Sequence, residues 1–289
     1  MKKSLLPGSI IILIFVSCET HFNDPEDTYL FKTDNGLEFR YSDFELYDSS
    51  THIFYFKTNH PEFKSDKSST FFLLSNGEEI YKGVFRPAYS SSFPSGPFIS
   101  SVFSLYPDYT FRVELITIDN QPQDSRNDPR LIAALKDHKL LHSGLSAEIK
   151  DILVNDYHLR FSFNVTNYDN SDLLILDPEK TGPKLFHYFT NAPVFYNITQ
   201  NKVFSYNTDY QSPSPWNSWE PDWLSELKSG DSRQFTFDYT INSPLTPGDY
   251  RISYEFPGLS NQITINQLFQ GNKRIWLGDI TLTKELRIQ

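Results

Sequence analysis

Tyr157–Val165 reads YHLRFSFNV, and its alternation decides the fold. Leu159, Phe161, Phe163 and Val165 fall two residues apart, with Arg160, Ser162 and Asn164 between them. Successive side chains of a β-strand point to opposite faces, so this spacing predicts a strand with one apolar and one polar side. A helix would scatter the same four residues around its axis.

The same period recurs on both sides of this stretch. Toward the N-terminus, Leu37–Tyr41, Phe44–Leu46 and Ile53–Lys57 alternate, and Thr70–Leu74 and Ile80–Phe85 are short β-rich runs separated by Asn76-Gly77. Asn-Gly between apolar strands predicts a tight hairpin from Phe71 to Phe85, because both residues tolerate positive φ. Residues 87–97 (PAYSSSFPSGP) carry too much Pro, Ser and Gly for a strand and read as an exposed loop. Phe98–Phe103 and Tyr109–Ile118 then close a first sandwich.

Residues 119–127 (DNQPQDSRN) are polar and turn-rich. A short helix follows, with Asp128 as its cap, Pro129 in its first turn, and Leu131, Ile132, Leu135 and Lys139 on one side before Gly144. It reads as a helical linker, with a helix plugging one end of a sandwich as the alternative.

From Ala147 onward, strands are expected at Glu148–Val154, Tyr157–Val165, Lys184–Phe189, Val194–Ile198, Val203–Tyr206, Arg233–Tyr239 and Asp249–Phe256, with a long final strand from Arg274 to Leu286. Within this half, Phe163-Asn164-Val165-Thr166-Asn167, Leu227-Lys228-Ser229-Gly230 and Pro247-Gly248-Asp249-Tyr250-Arg251-Ile252 resemble immunoglobulin-like modules, including the BsuPI-type proteinase-inhibitor family. The resemblance implies a β-sandwich; fold alone does not carry inhibitor activity. The expected class is all-β, with two tandem immunoglobulin-like β-sandwich domains joined by a short helical linker. The expected divisions are a signal peptide at 1–17, a tether at 18–28, sandwiches at 29–120 and 147–289, and the linker at 121–146.

The leader reads MKKSLLPGSIIILIFVSC. Lys2 and Lys3 form a positive n-region, Leu5–Val16 an apolar h-region, and Ser17 a small residue before a cleavage point. The apolar run is shorter than the ~20 residues that a membrane-spanning helix needs. Phe15-Val16-Ser17-Cys18 resembles the lipobox of bacterial lipoproteins, in which the cysteine becomes the lipidated first residue. Cys18 is the only cysteine of the chain. The resemblance implies attachment to a membrane through a lipid anchor on Cys18, and more than one acyl chain makes such anchoring stable. Glu19 at the next position favours the outer membrane, and the acidic stretch 19–28 reads as a flexible tether.

Composition narrows the function classes. The formal charge is −10, and loss of Lys2 and Lys3 with the leader takes it to −12. An acidic chain with scattered basic residues argues against nucleic acid as a partner. A single cysteine excludes an intramolecular disulfide and a cysteine-based metal site, and no cofactor is expected.

Several fragments imitate catalytic motifs. Lys180-Thr181-Gly182 and Ser225–Lys228 resemble the KTG and SxxK elements of penicillin-recognising serine enzymes, yet they stand in reversed order and the SxxK precedes a turn. His138 and His142 have ligand-like i, i+4 spacing with no carboxylate pattern to complete a zinc site. Residues 167–172 (NYDNSD) hold oxygen ligands but lack the glycine and distal glutamate of an EF-hand, so they read as a hairpin turn. No catalytic or metal residue is therefore assigned.

The surface candidate is residues 206–223 (YNTDYQSPSPWNSWEPDW), where Trp216, Trp219 and Trp223 lie near Tyr206 and Tyr210 on a proline-interrupted stretch. Aromatic rings on such a loop stack on sugars or anchor a protein partner, unless they fold back to seal the sandwich end. The expected role is a lipid-anchored envelope protein acting as a non-catalytic binding or assembly module for a glycan or envelope protein. A hydrolase of envelope glycans or peptides is the competing class, and a proteinase inhibitor the third.

Overall fold

The computed structural model describes residues 28–64, 69–87, 90, 94–100, 106–116, 124–181, 193–204, 219–241, 244–260 and 263–289. The leader with Cys18, the expected strand Lys184–Phe189, and Tyr206, Tyr210 and Trp216 lie outside these residues. The fold is predominantly β, built from several sheets.

The N-terminal half runs through β1 (Tyr29–Thr33), β2 (Glu38–Arg40), β3 (Phe44–Asp48), β4 (Ile53–Phe56), β5 (Thr70–Ser75), β6 (Glu78–Arg86), β7 (Phe98–Ser100) and β8 (Thr110–Arg112), then helix α1 (Pro129–Asp137) and β9 (Leu141–His142). They form one sheet in the order β2-β1-β5-β6-β7 and another in the order β8-β4-β3-β9. The facing surfaces are aromatic. Phe31 and Phe71 stack at 5.5 Å on one sheet, Phe44 and Phe56 at 4.6 Å on the other, and Phe31 meets Phe111 across the gap at 5.2 Å. Reciprocal bonds between Phe98 and Glu114 stitch the two sheets together along one edge. The expected hairpin is present: Asn76 and Gly77 both have positive φ, and β5 pairs antiparallel with β6.

Asp128 caps α1 by accepting the Arg130 N–H at 2.9 Å, and Pro129 opens the helix. Leu131 and Leu135 are fully buried in the same aromatic core. Lys139, expected on the apolar side, instead lies past the helix end, exposed and with φ of 60°. Leu140 then returns to the core.

The C-terminal half comprises β10 (Leu145–Asn155), β11 (His158–Asn167), β12 (Asp172–Leu176), helix α2 (Pro178–Thr181), β13 (Val194–Asn197), β14 (Lys202–Phe204), β15 (Leu224–Leu227), β16 (Ser232–Thr240), β17 (Gly248–Pro257), helix α3 (Ile265–Leu268), β18 (Phe269–Gln270), β19 (Lys273–Ile275) and β20 (Asp279–Ile288). Three sheets result: β10-β11-β16, β15-β12-β19-β18 and β14-β13-β17-β20. Leu159, Phe161, Phe163 and Val165 are all buried, as their period requires. The expected single final strand is two. Trp276 turns fully inward, and Gly278, with φ of 107°, breaks the run between β19 and β20.

The largest apolar core crosses the middle of the chain. Leu176, Leu224, Leu259, Ile263, Leu268, Ile275 and Leu277 pack into the cluster that holds Phe31, Phe44 and Phe54.

Candidate functional site

A cleft of about 540 Å³ opens where the halves meet, walled by residues 57–59 with Asp108 and Tyr109 on one side and residues 263–265 on the other. That volume lies in the range of small-molecule sites. The near wall is the exit of β4. Three backbone bonds hold it, from Phe56 N–H to Tyr109 O (2.7 Å), Lys57 N–H to Asp43 O (3.0 Å) and His60 N–H to Asp108 O (2.8 Å).

The bend at 57–59 and Pro61 bring three polar side chains into line. Thr58 Oγ1 lies 3.1 Å from His60 Nε2, and His60 Nδ1 lies 2.8 Å from Glu62 Oε1. A carboxylate accepts only, so Glu62 fixes the proton on Nδ1 and leaves the Nε2 lone pair to accept from the threonine hydroxyl. The His60 ring is wedged against Phe56 at 4.3 Å and edge-on to Phe39 at 4.9 Å, which sets its plane. Thr58, His60 and Glu62 carry no recognised motif; the only signal is the T-x-H-x-E spacing at a strand exit, which local geometry alone turns into contact.

A second polar group lies at the same junction. Arg112 donates to Asp279 in a bidentate pair and through Nε to the Thr51 carbonyl at 3.0 Å. Burial raises the Glu114 carboxyl above its ordinary range, against the pull of Arg112, and burial together with the Asp279 charge raises Glu255. Deeper in, Arg274 is enclosed completely. It donates to Asp48 at 2.8 Å and to Asp169 at 3.0 Å, and its charge and the His142 contact at 2.8 Å hold Asp169 well below the carboxylate range despite burial.

The residues singled out in the sequence are dispersed. Trp219 and Trp223 are half-buried and pack against the main core, while Trp216, Tyr206 and Tyr210 fall outside the described residues. His138 stacks on Tyr41 at 3.8 Å, whereas His142 binds Asp169, so the i, i+4 pair shares no ligand position. Among the described residues, no group of three or more His, Cys, Asp or Glu is placed to hold a metal. Lys180 donates to the Leu224 carbonyl at 2.6 Å and Ser225 to Asp177 at 2.5 Å, both strand-end contacts unlike those of a serine enzyme. The 167–172 turn is held by Asn167, which donates to the Ser171 and Leu227 carbonyls and accepts from the Asp169 N–H.

No family model matches the chain, and no curated protein matches it. Among solved structures it is similar to the β-glucosidase from Kluyveromyces marxianus in complex with glucose, with 14% identity over 50% of this chain and 14% of that one and a TM-score of 0.20. The selenomethionine-labelled form of that enzyme gives 14% identity over the same shares and a TM-score of 0.21. The chain thus spans a small part of the glucosidase, and likeness at this level carries no conclusion about activity.

Proposed function

We propose that this chain is a lipid-anchored protein of the cell envelope, attached to the outer membrane through Cys18, whose tandem immunoglobulin-like sandwiches present a docking face to an envelope protein. The observation that carries the reading is the outward face of the β13–β14 hairpin. Val194, Ile198 and Val203 are 46, 41 and 56% exposed, and Tyr196, directly opposite Val203 in the register, joins them on that face. Their neighbours Phe195 and Asn197 point inward and are buried. The period of β13 places Val194, Tyr196 and Ile198 on one side, the cross-strand pairing adds Val203 from β14, and among the described residues β14 is an edge strand of its sheet. Clustered exposed apolar side chains at an edge are the signature of an interaction surface.

The test has two arms on the full chain. Cys18→Ala is expected to leave the detergent phase on phase separation; retention there overturns the anchor. A photo-crosslinking residue at position 203 is expected to give a discrete adduct with an envelope protein in native membranes, lost when Val194→Ser and Ile198→Ser are added. Absence of any adduct at 203, with the fold intact, overturns the docking face.

A further inference from the structure

We propose that Thr58, His60 and Glu62 form a hydroxyl–imidazole–carboxylate relay that hydrolyses short-chain carboxylic esters in the 540 Å³ cleft, an activity that goes beyond docking and rests on different residues.

The geometry meets the requirements for an activated hydroxyl in order. The nucleophile needs a base within hydrogen-bonding reach, and Thr58 Oγ1 stands 3.1 Å from His60 Nε2. The base needs a group that fixes its tautomer, and Glu62 stands 2.8 Å from Nδ1. The base must not swing away, and Phe39 and Phe56 clamp its ring from two directions. The nucleophile must face a space that admits substrate, and Thr58 itself lines the cleft. Lys57 and Asn59 line it on either side of Thr58, so a cation and an amide N–H are at hand for negative charge developing on a carbonyl oxygen. Opposite them, Ile263 and Ile265 offer an apolar wall suited to a short acyl chain, and Asp108 and Thr264 a polar one suited to an alcohol.

The chemistry balances with water as the only co-reactant. Thr58 Oγ1 attacks the ester carbonyl carbon while its proton passes to His60 Nε2. The tetrahedral adduct collapses, the carbon–oxygen bond to the alcohol breaks, and the leaving oxygen takes the proton from His60. Water then attacks the acyl carbon and loses its proton to His60; the bond from that carbon to Thr58 Oγ1 breaks, Oγ1 takes the proton back from His60, and the carboxylic acid is released. Glu62 touches no reacting atom and acts as a positioning residue.

The experiment uses the full-length protein in detergent with p-nitrophenyl acetate as substrate and a fluorophosphonate as covalent probe. Wild type is expected to hydrolyse the ester and to carry the phosphonyl group on Thr58 in peptide mass mapping. Thr58→Val is expected to lose the adduct and to slow hydrolysis at least about 100-fold, within the range that a positioned proton-transfer base contributes. Thr58→Ser should keep both, and should Thr58→Val fail to fold, that variant and the mapped adduct decide the matter. Glu62→Gln is expected to lower kcat with KM little changed, because a neutral amide holds the Nδ1–H of His60 less firmly than the carboxylate at 2.8 Å does, and Glu62→Asp is expected to recover part of the rate; a merely structural role for Glu62 gives no such split between kcat and KM. An adduct elsewhere, no adduct, or wild-type hydrolysis by a folded Thr58→Val overturns the relay, and none of these outcomes bears on crosslinking at position 203.

Discussion

Arg274 and Asp48, 226 residues apart in sequence, meet at 2.8 Å with their side chains 1% and 0% exposed. Asp169 takes the same Nη2 at 3.0 Å, so one guanidinium joins the N-terminal half to the turn that follows β11. Charges are removed from water at a cost of several kcal/mol each, and the cost is offset only while all partners are in place. Removing one leaves the others stranded. Arg274→Met is therefore expected to destabilise the fold by about 3 to 5 kcal/mol, read from urea unfolding, whereas Arg274→Lys keeps the charge and loses less. A Met variant within 1 kcal/mol of wild type would show that Asp48 and Asp169 find other partners.

His52 gives the fold an acid sensitivity. Its ring is buried, its Nδ1 lies 2.7 Å from the Tyr47 hydroxyl, and desolvation together with the nearby Arg126 charge lowers its pKa to about 3, against the pull of Asp124. The folded state keeps this histidine neutral, while the unfolded chain takes up a proton below about pH 6.5. Stability from this group is thus complete above that pH and is lost as pH falls toward 3, at up to about 1.4 kcal/mol per unit. Asparagine tolerates the φ of 57° found here. His52→Asn is expected to flatten the stability profile between about pH 6.5 and 5.5 relative to wild type, the carboxylate contributions being common to both proteins. An unchanged slope refutes the assignment.

These two residues also mark where sequence reading stops. The period of two at Leu159–Val165 and the Asn76-Gly77 turn are legible because they depend on neighbours along the chain, and both stand as expected. Leu131 and Leu135 fit a linker that packs as well as a helix that plugs, and neither reading names the aromatic core in which they are buried. The break at Trp276–Gly278 hides inside an apolar run because nothing in the alternation announces a residue turned inward. Arg274 reads in the sequence only as the start of the final strand, since its partners Asp48 and Asp169 lie on distant elements. The Thr58 relay is local yet equally hidden, as it depends on a bend that no motif records.

Gly144 tests how tightly the Arg274 site is built. Its φ is 64°, and a Cβ there would fall on the Ser50 hydroxyl and the Asp48 carboxylate. Gly230 has a φ of 80° with nothing within 4 Å, so it isolates the backbone cost alone. Gly230→Ala is expected to cost about 1 kcal/mol, the penalty for an L-residue in the left-handed region. Gly144→Ala should cost about 2 kcal/mol more, since overpacking adds to strain and displaces a buried carboxylate. Equal shifts in thermal midpoint for the two variants would mean that Asp48 has room to move.

Trp219 and Trp223 separate packing from binding at the end of the aromatic stretch. Both are half-buried against the main core, and the Trp223 carbonyl also accepts the Asp177 N–H at 2.8 Å. Full truncation of a buried tryptophan costs about 3 to 5 kcal/mol, so a half-buried ring is expected to contribute about 1 to 3 kcal/mol. Trp223→Ala should accordingly lower the thermal midpoint by several degrees, while leaving crosslinking at position 203 unchanged in protein that remains folded. Loss of the crosslink at unaltered stability would move Trp223 from the sealing of the core to the docking face, because a ring that anchors a partner contributes nothing to the isolated fold.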